Sequence, residues 1–233
     1  EESVLLQYIL KEIAFEKDLS NKKILVTAGA TREPIDPVRF ITNHSSGKMG
    51  CAIAKAAMLR GAEVTLVYGH MEVTPPPFIK AIPVTTAEDM YIAVTEHSAE
   101  QDIIIKAAAV ADYTPTTTAT GKIKKSDSDM KIDLKRTKDI LASLGQNKKP
   151  NQIICGFSME TDNVLENSRK KLFSKNCDMI CANSLSTEGS GFKSDTNIIT
   201  LITKESTDSL EKMTKEQAAH IILDKLSGLS DSN

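Results

Sequence analysis

The residues of this chain best suited to chemistry are cations and one amide, set among glycines, serines and alanines. Arg39 and Asn43 lie in a polar loop that follows the short apolar run Ile24 to Val26, and Ser45-Ser46-Gly47 then opens a small-residue amphipathic segment from Met49 to Leu59. A helix that starts on Ser and Gly presents unpaired N–H groups to an anion. Two familiar phosphate-binding patterns do not fit. Met49 stands where a P-loop needs Ser or Thr, its first glycine is missing, and no G-x-G-x-x-G follows the strand. A loop this long and polar in an α/β chain is more often functional than a plain connection.

Further groups of the same kind recur along the chain. Lys106-Ala107-Ala108-Ala109 continues the apolar run Ile103 to Ile105 into Val110-Ala111-Asp112-Tyr113. Three small residues at a strand's carboxyl end let a ligand approach the backbone, but they equally suit the core side of a tightly packed strand, and spacing does not choose between the two. Lys171 and Lys175 are one helical turn apart, so they can face the same phosphates or form a solvated pair. Lys122 belongs to KIKK, inside residues 114 to 137, a run rich in Thr, Ser, Gly and Lys with few core-forming residues. Such a flap is expected to stay mobile until a ligand orders it.

These residues need a scaffold, and the apolar pattern supplies one. Runs at Ile24–Val26, Val64–Tyr68, Ile103–Ala107, Ile153–Phe157 and Met179–Ala182 alternate with helical segments near Gly50–Arg60, Ala87–Glu96, Lys138–Leu144 and Asn163–Lys175. That alternation predicts an α/β fold with a mostly parallel sheet covered by helices. Pro75 to Pro77 marks a turn out of the second strand. Ile198 to Thr203 reads as a strand, residues 205 to 208 as a turn, and Lys215 to Leu226 as a closing helix. Before the first strand, Val4, Leu5, Ile9, Ile13 and Phe15 make a mostly helical stripe.

Composition narrows the classes. A chain of 233 residues can bury a sizeable core, and a formal charge of −2, from 29 Lys plus Arg against 31 Asp plus Glu, argues against nucleic-acid binding. No apolar run reaches the length of a membrane span, so no membrane partner is expected. Cys51, Cys155, Cys177 and Cys181 contain no C-x-x-C pair and read as reduced core thiols of a cytoplasmic protein, without metal-site spacing.

Several separated motifs, in order, carry a family resemblance: TREPIDPVRFITNHSSGKMG from Thr31 to Gly50, KAAAVADY from Lys106 to Tyr113, KIKK from Lys122 to Lys125, Gly156-Phe157, Glu160-Thr161, Cys181 to Asn183, and GFKSDTN from Gly191 to Asn197. Over residues 22 to 204 the chain resembles phosphopantothenoylcysteine synthetase, and within that family the CTP-using half of the bifunctional bacterial decarboxylase–synthetase. The resemblance implies a three-layer Rossmann-like fold with a mobile flap and a C-terminal β-hairpin plus helix. Residues 1 to 21 would be a linker helix from an upstream flavin-dependent decarboxylase domain, and 22 to 233 the synthetase domain. It also implies a homodimer. The reaction implied joins phosphopantothenate to L-cysteine through an acyl-cytidylate, with magnesium, on the route to coenzyme A.

Site roles follow from the same resemblance. Lys106, Ala107, Ala108 and Asp112 would contact CTP, with Asp112 facing either the ribose or the magnesium. Ala109 would lie beside the acyl group. Lys138, Asp139, Ile140 and Leu141 match a nucleotide-contacting turn in which Lys138 replaces the usual proline. Phe157 would lie against the cytosine, where an aromatic face suits a flat base. Lys171 and Lys175 would hold phosphates, and Lys122 would close over the triphosphate. Asn43 would contact the acyl intermediate, its amide donating without adding charge. Arg39 would hold a phosphate or carboxylate of phosphopantothenate, or form a structural ion pair. Two other classes stay open on residues alone: a nucleotide-dependent oxidoreductase, disfavoured by the missing glycine fingerprint, and a non-catalytic nucleotide-binding protein.

Overall fold

A computed structural model describes residues 2–125, 129–160, 162–184 and 195–230. Its centre is an eight-stranded sheet. The first strand, Lys23–Ala28, pairs in parallel with Glu63–Tyr68 on one side and with Ile103–Lys106 on the other. Lys80–Pro83 continues the first direction; Ile153–Glu160 and Met179–Ser184 continue the second. The six parallel strands therefore run 3-2-1-4-5-6 in chain order, and chain direction across the sheet reverses between Lys23–Ala28 and Ile103–Lys106. Loops leaving those two strands diverge and open a crevice there.

Burial on both faces explains why the strands read as continuous apolar runs. Ile24 and Val26 enter one core, with Ile103 and Ile105, under helices α2 (Lys48–Leu59) and α6 (Lys215–Ser230). Leu25 and Ile104 point the other way, into a core with Met90, Leu144 and Leu172. Those come from α3 (Ala87–Ser98), α4 (Ile140–Gln146) and α5 (Val164–Ser174). The period of two along each strand divides its side chains between the layers. α2 lies close to the first strand because Gly50 has no side chain: a Cβ there would come 2.6 Å from Ala28 Cβ and 2.8 Å from Thr27 O.

At the far edge, Ile199–Thr203 and Thr207–Ser209 add an antiparallel hairpin before α6. Thr207 and Asp208, expected in the turn, belong to its second strand. The turn is shorter because Thr203 Oγ1 accepts from the N–H groups of Glu205 (3.2 Å) and Ser206 (2.9 Å). N-terminal helix α1 (Glu2–Ile13) leaves Leu5, Leu6 and Ile13 exposed, while Tyr8 meets Phe78 at 4.5 Å between ring centroids.

Two small hairpins interrupt the α/β pattern. Arg32–Pro34 pairs with Phe40–Thr42 inside the first loop, and Tyr113–Pro115 pairs with Leu134–Arg136 at the base of the flap. Above that base the flap lies on the first loop, with Thr118 Oγ1 donating to Pro34 O (3.1 Å) and Ala119 N to Ile35 O (3.0 Å). Of the sequence motifs, Thr161 and Gly191 to Ser194 fall outside the described residues.

Candidate active site

Two adjoining cavities, of about 450 and 430 Å³, occupy the carboxyl end of the sheet at the switch point and share Lys106, Asp112, Phe157 and Lys171. The first is walled by Asn43, the start of α2 and the backbone of Ala107 to Ala109. The second is walled by Lys138 to Leu141 and Lys175. The structure thus brings together every residue singled out above except Arg39 and Lys122. A larger cavity of about 750 Å³ lies among α1, α2 and Val73 to Phe78. Proline and aliphatic side chains make up much of its wall, and apart from Lys48 and Lys215 at its edge it shares nothing with the switch point.

The Ala107 to Ala111 segment is fixed by hydrogen bonds from strand ends, which leaves its surface open to a ligand. Ala108 N donates to Thr27 Oγ1 (3.1 Å), Ala109 N to Gly29 O (2.8 Å) and Ala111 N to Thr31 Oγ1 (3.0 Å). Exposed Asn43 reaches the same segment, its Nδ2 donating to Val110 O at 3.2 Å. Gly47 caps α2 at φ 75°, with no side-chain hydrogen bond to the cap and no acidic residue in the first turn. Gly47 to Gly50 line the cavity, so the start of α2, where an anion would be favoured, forms part of its wall.

Electrostatics in the cleft are governed by crowded lysines. Lys106 is pushed down to about 8, first by burial and then by the Lys171 charge, against the pull of Asp139 and Asp112. Lys171 Nζ donates to Phe157 O at 2.8 Å, so that lysine and the proposed base platform are one unit. Lys175 pairs with Asp139 at 2.8 Å. Burial works to raise the Asp139 carboxyl, yet it lies below its ordinary value because Lys175 and Ala142 N hydrogen-bond it. Asp139 also caps α4, so the turn expected to touch nucleotide is a helix start. Lys138 instead turns outward to Glu88 (2.6 Å) and over the Tyr91 ring.

Arg39 and Lys122 sit together, away from these cavities. The Arg39 guanidinium grips buried Asp36 through Nε (3.0 Å) and Nη2 (2.5 Å), and Nη2 also donates to Ile123 O (2.9 Å). Lys122 is exposed on the flap beside that contact. His44, Lys48, Asn183, Asn197 and Lys215 had no individual role in the sequence reading, although all line the first cavity. Lys48 pairs with Asp195 (2.6 Å), and Asn183 Nδ2 donates to Asn197 Oδ1 (2.7 Å). All but Lys215 lie within the motifs that carry the family resemblance. Among the described residues no group of three His, Cys, Asp or Glu side chains is arranged to hold a metal, and no helix is long and apolar enough to cross a membrane.

Fold and cleft together define a Rossmann-like α/β domain with a cationic, amide-bearing crevice at its switch point. Residues 19–229 match the DNA/pantothenate metabolism flavoprotein C-terminal domain, and the chain belongs to that family. The coenzyme A biosynthesis bifunctional protein CoaBC of Bacillus subtilis (strain 168) is 46% identical over 214 residues, covering 91% of this chain and 52% of that protein. A protein of an unknown prokaryotic organism, named cysteine/cysteine sulfinic acid decarboxylase, is 46% identical over 224 residues, covering 95% of this chain and 62% of that one. The chain therefore spans roughly half to three fifths of the length of these curated relatives. A crystal structure of the C-terminal domain of CoaBC superposes with a TM-score of 0.79 at 42% identity, covering 92% of this chain and 98% of that one.

Proposed function

We propose that this domain joins 4′-phosphopantothenate to L-cysteine at the expense of CTP. The observation that carries the reading is the convergence, at one switch point, of Lys106, Lys171 and Lys175 with the Asn43 amide and the open Ala107–Ala109 backbone. A carboxylate is a poor acyl donor because oxide is a poor leaving group. Its oxygen attacks the α-phosphorus of CTP, pyrophosphate departs, and the acyl-cytidylate forms; the cysteine amine then attacks the acyl carbon and CMP leaves. Lys106 and Lys171, both half-buried at the cavity wall, neutralise phosphate oxygens more strongly than lysines in open water would. Phe157 supports the base, and Asn43 Nδ2 donates to the acyl carbonyl or phosphate oxygen. Arg39 holds the substrate phosphate, and Lys122 approaches the triphosphate as the flap closes.

Asp112 is an exposed carboxylate lining both cavities, while Asp139 in the second is paired with Lys175. One carboxylate suits a magnesium ion held mainly by phosphate oxygens and water, and it also suits a ribose hydroxyl. Magnesium there neutralises charge on the phosphates. Exposed Val38, Phe40, Tyr113 and Leu134 cluster on the two small hairpins, which supports a homodimer formed through that face. Kinship with bifunctional CoaBC proteins supports a decarboxylase half elsewhere in the full-length protein. The test is incubation with CTP, phosphopantothenate, magnesium and cysteine. Pyrophosphate and the ligated thiol should appear together; neither should appear when phosphopantothenate is omitted.

A further inference from the structure

We propose that Asp36 is a positioning residue whose single buried carboxylate fixes both Arg39 and the Lys122-bearing flap. The inference rests on the ligase reading for what Arg39 and Lys122 do, but its geometry stands apart from it. Oδ1 of Asp36 accepts from Val38 N (2.9 Å) and Arg39 N (2.8 Å), the usual cap of a tight turn. A turn cap needs only that oxygen. Oδ2 instead accepts from Arg39 Nε and Nη2 and, 87 residues away in sequence, from Ile123 N at 3.1 Å.

Arg39 Nη2 completes a ring by donating to Ile123 O at 2.9 Å. The carboxylate–guanidinium pair therefore offers the Ile123 peptide one acceptor and one donor, as a neighbouring β-strand would. The Asp36 side chain is fully buried while that of Arg39 is 40% exposed. A buried charge persists when it is paired and hydrogen-bonded on every side, and here three of its five hydrogen bonds come from the flap and the Arg39 head group. The Arg39 hydrogen bond, before any backbone contact, holds the Asp36 carboxyl well below the ordinary carboxylate range. With Nε and Nη2 committed to Asp36, Nη1 is the guanidinium edge left to meet a substrate phosphate, and Lys122 is the neighbour of the pinned residue. One anchor thus sets the spacing between the substrate's phosphate ligand and the flap lysine.

Asp36→Asn tests this because the amide can serve one set of donors and must turn its NH2 toward the other. Its effect is read against Lys122→Ala and the double variant, in pyrophosphate release with CTP and phosphopantothenate. Each single change should slow release by about tenfold, and the double variant should be no slower than the worse single, since residues acting as a unit are not additive. The CTP affinity of Asp36→Asn by calorimetry should stay within about twofold, since the cavity residues are untouched. Trypsin should cut at Lys122 and Lys124 faster in unliganded Asp36→Asn than in the parent. Ile123→Pro removes the flap N–H and, keeping Asp36 and Arg39, should reproduce the slowed release even if Asp36→Asn folds poorly; its proteolysis is read at Lys124, because a bond between Lys122 and a proline at 123 resists trypsin. Multiplying losses in the double variant, or unchanged release and proteolysis in both Asp36→Asn and Ile123→Pro, would overturn the proposal. A parent protein that releases no pyrophosphate defeats the ligase reading instead, and the proteolysis arm still judges the tether.

Discussion

Raising the pH through 8 should weaken CTP binding, and the size of the loss follows from Lys106. Burial and the neighbouring Lys171 hold this lysine at about 8 instead of 10.5. Its charged fraction then falls from about nine tenths near pH 7 to about one tenth near pH 9. If the triphosphate meets the ammonium, affinity drops by up to about tenfold, or ~1.4 kcal/mol. Unfolding does not mimic the effect. Between about 8 and 10.5 the unfolded chain binds more protons at this residue than the folded one, so Lys106 makes the fold more stable as pH rises. Calorimetric titration with CTP near pH 7, 8 and 9 gives the slope. Lys215 in the same cavity is also lowered, by burial first and then by Lys48, so Lys106→Met is the necessary control and should flatten most of the slope. Equal affinity at both ends of the range, or the same slope in Lys106→Met, would refute the reasoning.

Three further outcomes are expected. Asn43→Ala should bind CTP as the parent does but form product about 100-fold more slowly, because it removes a positioned donor from a developing oxyanion; lost CTP affinity in titration would move Asn43 into the nucleotide site. Trypsin should cut KIKK more slowly with CTP and phosphopantothenate bound than in the free protein, and Lys122→Ala should reduce that protection; mass spectrometry of the fragments reads the result. Gly50→Ala drives a methyl to 2.6 Å from Ala28 Cβ, so urea unfolding should show a loss of about 1–3 kcal/mol.

Much of the fold was legible because the central strands are buried on both faces. Ile24 to Val26 and Ile103 to Ile105 are fully buried and read as short continuous apolar runs. Lys80–Pro83 escaped notice for the opposite reason: it is an edge strand, half-exposed to exposed, and ends on a proline that needs no ladder partner. The Arg32–Pro34 and Leu134–Arg136 hairpin strands are charged and short, and only their pairing partners make them strands. Lys106, at the end of a buried strand, could be found from strand position, whereas Phe157, in the middle of Ile153–Glu160, came from the family resemblance. Lys215 could not be found either way, because it enters the cavity from an element far along the chain whose place depends on the sheet order. The Asp36–Arg39–Ile123 ring was hidden for the same reason, although a structural ion pair had been one of two readings of Arg39.

The ligase reading requires this cleft to activate a carboxylate with CTP before an amine attacks it. The most direct measurement is a timed comparison with phosphopantothenate, magnesium and either CTP or ATP, cysteine being withheld and then added. With CTP, pyrophosphate should be released before cysteine is present, and thiol product with CMP should follow its addition. ATP should be clearly slower, because a pocket that hydrogen-bonds the cytosine edge leaves its buried polar groups unpaired against adenine. No pyrophosphate with either nucleotide, or equal turnover with both, would contradict it.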